Sequence, residues 1–424
     1  MIAVRSRHVS LLTVGLFGGG LATSPSSAQT LTVPLQHPGL AAALDSIRVW
    51  QGWTLEQQID LTEIEAPPFK EARRAAEFRR RLLALGYSDA SIDAEGNVIA
   101  GLTGDEGGPV VVISGHLDTV FPEGTDVTVT RTGPYVAAPG IADDSRGLAV
   151  VLTVARAFRS VELKPRGTVL FVGTVGEEGQ GNLRGVRHLF ADEFARRIDY
   201  FISVDGTGYG ITSAAVGSTR YRITFRGPGG HSYGSFGMPN PMHAMGRAIA
   251  TIADFDVPAD PKTTFSVSVA SGGTSVNSIP MTASFDIDMR SEEPSELEEL
   301  DRRVVKAIDD ALAAEKARWP RSGRSLELQI DTIGIRPAGR QPSSAPIVRV
   351  ALAAAHVLGQ RSHLVASSTD ANIPISMGIP AITIDGGGRG GGSHTLNEWY
   401  EDTPDAYKGP QWAALIVAML AGLD

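Results

Sequence analysis

Two kinds of apolar patterning alternate along the chain. Helical spacing comes first, with helices expected around 40–63 and 68–86. In the second, Phe78, Leu82 and Leu85 recur at i, i+4 and i+7 with arginines on the opposite face. A Gly96-Asn97 turn leads into short apolar runs bounded by glycine. Val110–Ser114, Thr168–Val172 and Tyr200–Val204 are expected to be buried strands, with helices at Leu148–Phe158 and Leu183–Arg197 between them. Such strand–helix–strand alternation predicts an α/β sheet with parallel members.

Near residue 216 the pattern changes. Strand (Arg220–Phe225), helix (Pro241–Ala253), strand (Thr264–Ala270), strand (Ala283–Arg290), helix (Glu296–Ala314) and strand (Leu326–Ile330) follow in βαββαβ order, the order of a ferredoxin-like α+β unit. After Pro337 the α/β style resumes through Ile384. The expected organisation is therefore an α/β domain over 29–215 and 336–424, interrupted by an α+β insert over 216–335. The apolar run Trp412–Leu423, opened by Pro410, is 12 residues long. It suits a buried helix and falls short of the ~20 residues that a membrane span needs.

Residues 1–28 have the features of a secretory signal peptide. Arg5 and Arg7 form a basic start, Val14–Ala22 is apolar or glycine throughout, and Ser26-Ser27-Ala28 offers a small-x-small cleavage site. Export to the periplasm or medium is the expectation, without stable membrane insertion. Cleavage removes two arginines and no acids, so the net charge of −9 becomes −11.

Composition narrows the chemistry. A length of 424 residues suits two or three domains at ~150 residues each. Hydrophobic and charged shares of 42% and 20% exclude disordered, collagen-like and coiled-coil classes. The acidic balance, 47 against 38 basic side chains, argues against a nucleic-acid partner. Cysteine is absent, which removes disulfide scaffolds, thiolate metal sites and cysteine nucleophiles together. Any metal must rest on histidine, carboxylate or backbone oxygen.

Acids and histidines sit where the predicted strands end. His116 and Asp118 follow the first strand, Asp143 and Asp144 precede a helix, Glu177 and Glu178 follow the second strand, Asp205 ends the third, and His394 follows the glycine run Gly386–Gly392. In open α/β sheets ligands gather beyond the carboxyl ends of strands, so these groups are placed to converge. Clustered carboxylates need cations, and two histidines with several carboxylates suit the nitrogen and oxygen preferences of a zinc site. The donors exceed the needs of one ion and point to two. The glycine run has no lysine after it and no Gly-x-Gly-x-x-Gly helix start. It is therefore expected to be a mobile loop beside a ligand rather than a phosphate cradle. His37, His188, His243, His356 and His363 carry no partner motif and are assigned structural roles.

These motifs, Gly-His-Leu-Asp-Thr, Ala-Asp-Asp-Ser, Gly-Glu-Glu-Gly and Ser-His-Thr in that order, resemble the two-zinc exopeptidases and amidohydrolases that include glutamate carboxypeptidase, peptidase T and acetylornithine deacetylase. The resemblance runs from about 45 to the C-terminus. It implies a zinc-exopeptidase-like α/β/α catalytic domain with an inserted ferredoxin-like lid and dimerisation domain, and a homodimer formed through the lid. It implies two divalent ions, most often zinc with cobalt or manganese as alternatives. His116, Asp143 and Asp205 would hold one, and Asp143, Glu178 and His394 the other, with a cis Asp143–Asp144 peptide. Asp118 would accept from the second nitrogen of His116, and Glu177 would be the general base. On the insert, His231 in Gly-Gly-His-Ser would stabilise the oxyanion, in cis or across a dimer. Asn277 and Arg290 would engage substrate, the arginine facing a carboxylate.

Two departures stand out. Where many relatives have lysine after the aspartate pair, this chain has Ser145-Arg146-Gly147, so contacts near the substrate entrance are expected to differ. Asp205 stands where carboxypeptidases of the family tend to carry glutamate and aminopeptidases and di- or tripeptidases aspartate, which favours the second group over a carboxypeptidase; an N-acyl amino acid amidohydrolase of the same family is a further alternative. The substrate expected is a small peptide or acylated amino acid. A reading of another class is a non-catalytic, metal-dependent solute-binding protein of the periplasm. Glu177 discriminates between the two, because a binding protein has no use for a free carboxylate beside a metal ligand.

Overall fold

The computed structural model describes residues 33–104, 107–191 and 197–423; the segment 1–28, expected to be a signal peptide, lies outside them. Among these residues the larger sheet has nine strands. From one edge the order is Ser91–Ile92, Val98–Leu102, Thr168–Thr174, Val110–His116, Tyr200–Val204, Ala381–Ile384, Gly210–Ala215 and Gly339–Arg340, with His363–Ser367 also paired to Gly210–Ala215. The central strands Thr168–Thr174, Val110–His116, Tyr200–Val204 and Ala381–Ile384 run parallel. Their alternate side chains serve two apolar layers, as the two-residue period of a strand requires. Val112, Leu170, Val172 and Phe201 pack with Leu183, Val186, Ile373 and Ile375. On the other face Phe171 meets Phe158 of the helix Ser145–Ser160 edge-on. The result is the α/β/α sandwich that the alternation implies.

The segment after Val216 builds its own sheet, all antiparallel, in the order Thr263–Gly272, Thr282–Ser291, Gly217–Arg226, Glu327–Arg336. That is ferredoxin-like strand order. Helices Pro241–Ala253 and Pro294–Arg318 cover one face, over a core that includes Phe225, Phe285, Ile287 and Met289. The strand Thr282–Ser291 alternates strictly, so Asp286, Asp288 and Arg290 face the other way. Thr263–Gly272 is an edge strand with its second half exposed.

Three expectations change. The first helix is two, Pro38–Val49 and Gln51–Thr62, parted at Trp50, whose ring and that of Trp53 enclose the Arg156 guanidinium. The glycine run is no mobile loop at its start. Gly386, Gly387 and Gly388 are buried, and Gly387 and Gly388 adopt φ of 79° and 71°, which favour glycine. A Cβ on Gly388 would stand 2.2 Å from the Tyr400 hydroxyl, and one on Gly409 would stand 1.9 Å from the Gly386 carbonyl. Arg146 is not at the entrance. It is buried and donates to the carbonyls of Gly386 and Ala406, fastening the glycine run to the turn before the last helix, Lys408–Ala421. Among the described residues no helix is long and apolar enough to cross a membrane.

The close backbone approach at Gly409 makes a sharp expectation. Gly409→Ala should destabilise the protein by about 1–3 kcal/mol, the usual cost of overpacking, and a thermal melt with an unchanged midpoint would show that the contact is not rigid.

Candidate metal centre

Parallel strands deliver the site residues to one end of the sheet. His116 is the last residue of its strand, Glu177 and Glu178 follow Thr168–Thr174, and Asp205 follows Tyr200–Val204. Asp143 is held from behind by Glu398, a fully buried carboxylate that accepts from the backbone N–H groups of Gly140, Ala142 and Asp143. The Asp143–Asp144 peptide is cis. Asp144 turns away and caps the helix Ser145–Ser160, accepting from the N–H groups of Gly147 and His116. His394 sits at φ 65° just after the glycine run.

The structure brings the two expected donor sets together. His116, Asp143 and Asp205 offer ligand atoms within 4.8 Å of one another, as do Asp143, Glu178 and His394. Asp143 belongs to both: one oxygen lies 3.0 Å from His116 Nε2 and the other 3.2 Å from His394 Nε2. His394 Nε2 is also 3.0 Å from Glu178. His116, Glu177 and Glu178 form a third such group.

Electrostatics shows what the cluster lacks. Burial, reinforced by the Asp143 charge, pushes the Asp205 carboxyl well above the usual range. Burial works against a charged His116, yet Asp118 and Asp143 overcome it and raise the imidazole. Hydrogen bonds to Asp143 and Glu178 raise His394 to about 10. The cluster therefore draws positive charge to itself, by protonation when nothing else supplies it. With nitrogen and oxygen donors and no thiolate, the residues present fit divalent cations in place of those protons.

Glu177 is 4% exposed, and burial raises its carboxyl to about 8 although Arg336 pulls the other way. Arg336 Nη1 donates to Glu177 Oε1 at 3.0 Å, and its Nη2 to the Glu177 carbonyl. The expectation for Asp118 needs correction. The partner of His116 Nδ1 is the Asp118 carbonyl at 3.1 Å, while the carboxylate stands 3.6 Å away. That carboxylate is taken up by two successive amides, accepting from Glu177 N–H at 3.0 Å and Glu178 N–H at 2.8 Å. Both acceptors face Nδ1, so the neutral ring carries its proton there and leaves Nε2 for Asp143 and a cation.

Arg290 lines the same cleft of about 550 Å³ as Asp143, Glu177, Glu178, Asp205 and His394. His231 and Asn277 do not. They line a separate cleft on the insert, where the short ribbon Gly230–His231 pairs with Ser278–Ile279. His231 Nδ1 accepts from the N–H groups of Tyr233 and Gly234, which directs the proton of the neutral ring to Nε2. Sequence reasoning passed over Glu398, Arg336, Arg220 and Asp288. Arg336 had one visible signal, its place immediately before the Pro337 that marks the end of the insert.

A model of peptidase family M20/M25/M40 matches residues 112–418. The chain is 27% identical over 265 residues to succinyl-diaminopimelate desuccinylase of Nitrosococcus oceani, covering 58% of this chain and 70% of that one. It is 29% identical over 268 residues to the Burkholderia cenocepacia protein of the same name, covering 57% and 70%. In fold it is similar to aminopeptidase PepT from Bacillus cereus, at TM-score 0.71 and 21% identity over 88% of this chain and 99% of that one. It is similar also to the Bacillus subtilis YXEP protein, described as a dinuclear metal binding peptidase, at TM-score 0.62 and 19% identity over 88% and 99%. The chain belongs to peptidase family M20/M25/M40 and is a hydrolase of amide bonds.

Proposed function

We propose an exported, zinc-dependent exopeptidase of the aminopeptidase or di- or tripeptidase type, acting on small peptides through an activated water. The observation that carries it is Asp143, shared between two donor sets, with Glu177 beside them and fixed by an arginine. His116, Asp143 and Asp205 would hold one cation, and Asp143, Glu178 and His394 the second. Bound there, paired divalent cations polarise a carbonyl and make water acidic enough to attack it. Asp118 sets the His116 tautomer and clamps the loop that carries both glutamates. Glu177 takes the proton of the attacking water and returns it to the leaving nitrogen, and Arg336 keeps its carboxylate oriented between those steps. Export, inferred from residues 1–28, belongs to the same reading. Aspartate at 205 favours the aminopeptidase or di- or tripeptidase type over a carboxypeptidase, while the desuccinylase relatives keep N-acyl amino acid hydrolysis as the second reading.

A panel of di- and tripeptides and N-acyl amino acids, with products identified with and without chelator, tests this. Chelation should abolish turnover, and Glu177→Ala should lower kcat by ~10²–10⁴ while leaving metal content intact. Near-normal turnover in that variant would remove Glu177 as the base, and no turnover by the wild type of any substrate would favour the solute-binding reading.

His231 and Asn277 stand apart from the cleft of their own chain, on an insert whose edge strand Thr263–Gly272 is open. This supports a homodimer in which the insert of one copy completes the site of the other. Mixing inactive His231→Ala and Glu177→Ala proteins should then restore part of the activity, and no recovery after demonstrated subunit exchange would return His231 to a role outside the reaction.

The buried acids also fix a sign for stability. Burial raises Glu177 to about 8, Asp385 and Glu398 to about 7 and Asp370 to about 6. Folded pKa values above the unfolded ~4 mean that the native state binds more protons, so stability falls as pH rises between those limits. Metal-free protein should melt at progressively lower temperature from about pH 4 to pH 8. Added zinc should reverse the loss at the upper end; a flat profile without metal would show that these acids are already neutralised by the protein.

A further inference from the structure

The insert is joined to the α/β domain by two crossings, and one buried side chain meets both. Outward the chain runs from strand Gly210–Ala215 through Val216 into Gly217–Arg226, and it returns from Glu327–Arg336 through Pro337 into Gly339–Arg340. The crossings pair antiparallel on either side of the junction, with Ser218 facing Arg336 in the insert and Ala215 facing Gly339 in the larger sheet. Between these pairs the ladder lapses, because Pro337 has no N–H to give. The two chains stay in contact there: a Cβ on Gly217 would stand 2.6 Å from the Ala338 nitrogen.

Such a lapse leaves carbonyl groups without ladder partners, and an unpaired one away from water is costly. Asn372 supplies the donors. It is fully buried, and its Nδ2 donates to the carbonyls of Val216 and Pro337, both at 2.9 Å, so one amide group serves both crossings. Its Oδ1 accepts from the Thr369 N–H at 2.9 Å, which fixes the way the amide faces. The loop before Asn372 adds to the grip. The Ser367 carbonyl accepts from the Val216 N–H at 2.8 Å, and Asp370 accepts at 2.5 Å from the hydroxyl of Thr174, the last residue of the strand that leads to Glu177.

The returning crossing leads straight to the candidate base. Arg336, next to Pro337, donates to the Glu177 side chain and carbonyl, and its Nη1 also donates to Ser368 Oγ at 3.2 Å, in the loop that ends at Asn372. The neighbouring Ile335 N–H donates at 3.0 Å to Asn182 Oδ1, in the segment just beyond the two glutamates. Displacement of the unclasped crossing would therefore move Arg336 against Glu177.

We infer that Asn372 is a positioning residue of the reaction: by clasping both crossings it sets where Arg336 stands and hence where the Glu177 carboxylate points. This rests on the reading of Glu177 as the base and extends it to a side chain that does not line the cleft. Asn372 acts on Glu177 through Arg336, which sets it apart from a residue that only stabilises the junction.

The test is a double-mutant cycle on the zinc-loaded enzyme, with Ala-Ala and N-acetylmethionine as substrates. Asn372→Ala and Arg336→Gln should each lower kcat by roughly 10- to 100-fold with zinc content unchanged, the usual cost of losing an orienting partner. In the Arg336→Gln background Asn372→Ala should lower kcat by less than about twofold further, as expected of residues acting in series. Thr383→Val, which removes the hydroxyl paired with Thr369 in the same loop, should lower the melting temperature without this loss of kcat. Unchanged kcat in Asn372→Ala, or an equal loss in both backgrounds, overturns the role. Should the alanine variant not fold, Asn372→Thr, whose hydroxyl can serve one carbonyl, takes the same comparison. Failure of both to fold assigns the side chain to stability alone and overturns the role as well. If the wild type turns over neither substrate, the hydrolase reading fails for them, and amide exchange in zinc-loaded wild type and Asn372→Ala, read by mass spectrometry, decides the clasp. Faster exchange over 177–183 as well as at the crossings supports it, and a change confined to the crossings overturns it.

Discussion

Mutual repulsion among buried carboxylates governs this molecule. Asp143, Glu177, Glu178 and Asp205 converge on one cleft at the ends of the parallel strands and the start of a helix, buried or half-buried, where each charge raises the cost of the next. Left to themselves the two histidines take up protons and Glu177 keeps one near neutrality. Cations relieve the same repulsion by taking, at the histidine lone pairs and the carboxylates, the places that protons otherwise fill. The repulsion that draws protons to the cluster is thus the same property that fits it to divalent cations.

Holding such a cluster requires a frame that does not yield. The frame here is a ring of buried side chains bound to backbone: Glu398 behind Asp143, Asp144 at a helix start, Asp118 under the two glutamates, and Arg146 across the glycine run. Each is satisfied by main-chain partners, which move less than side chains, so the ligand set inherits the rigidity of the sheet. The insert contributes differently. Its face toward the cleft carries arginines, and through Arg336 it grips Glu177.

Much of this was legible in the chain. Runs such as Tyr200–Val204 and Pro241–Ala253 have the periods of their elements and appear with those same limits. Acids at strand ends announced a site because topology, more than sequence distance, decides what meets there. Less legible were strands of three residues, such as Trp399–Glu401, which hold too few positions to show a period. Arg146 looked like an entrance residue because it follows the candidate ligand Asp143 in sequence, yet its hydrogen bonds point into the protein. Arg220 and Asp288 were invisible as a unit, since strand pairing across 68 positions creates it. The glycine run misled for a related reason: its small residues answer to Tyr400 and Gly409, far along the chain.

The grip of Asp118 on two consecutive amides has a further consequence. Consecutive residues of an extended segment project to opposite sides, and Glu178 is extended, at φ −81° and ψ 141°. One glutamate accordingly meets Arg336 and the other His394. What separates the glutamate held by Arg336 from the one beside His394 is parity along the backbone, since the two side chains are chemically identical. A slip of a single residue in this turn would exchange their partners while leaving the composition of the site unaltered. The division of labour is written in the phase of the chain, and Asp118 is what keeps the phase.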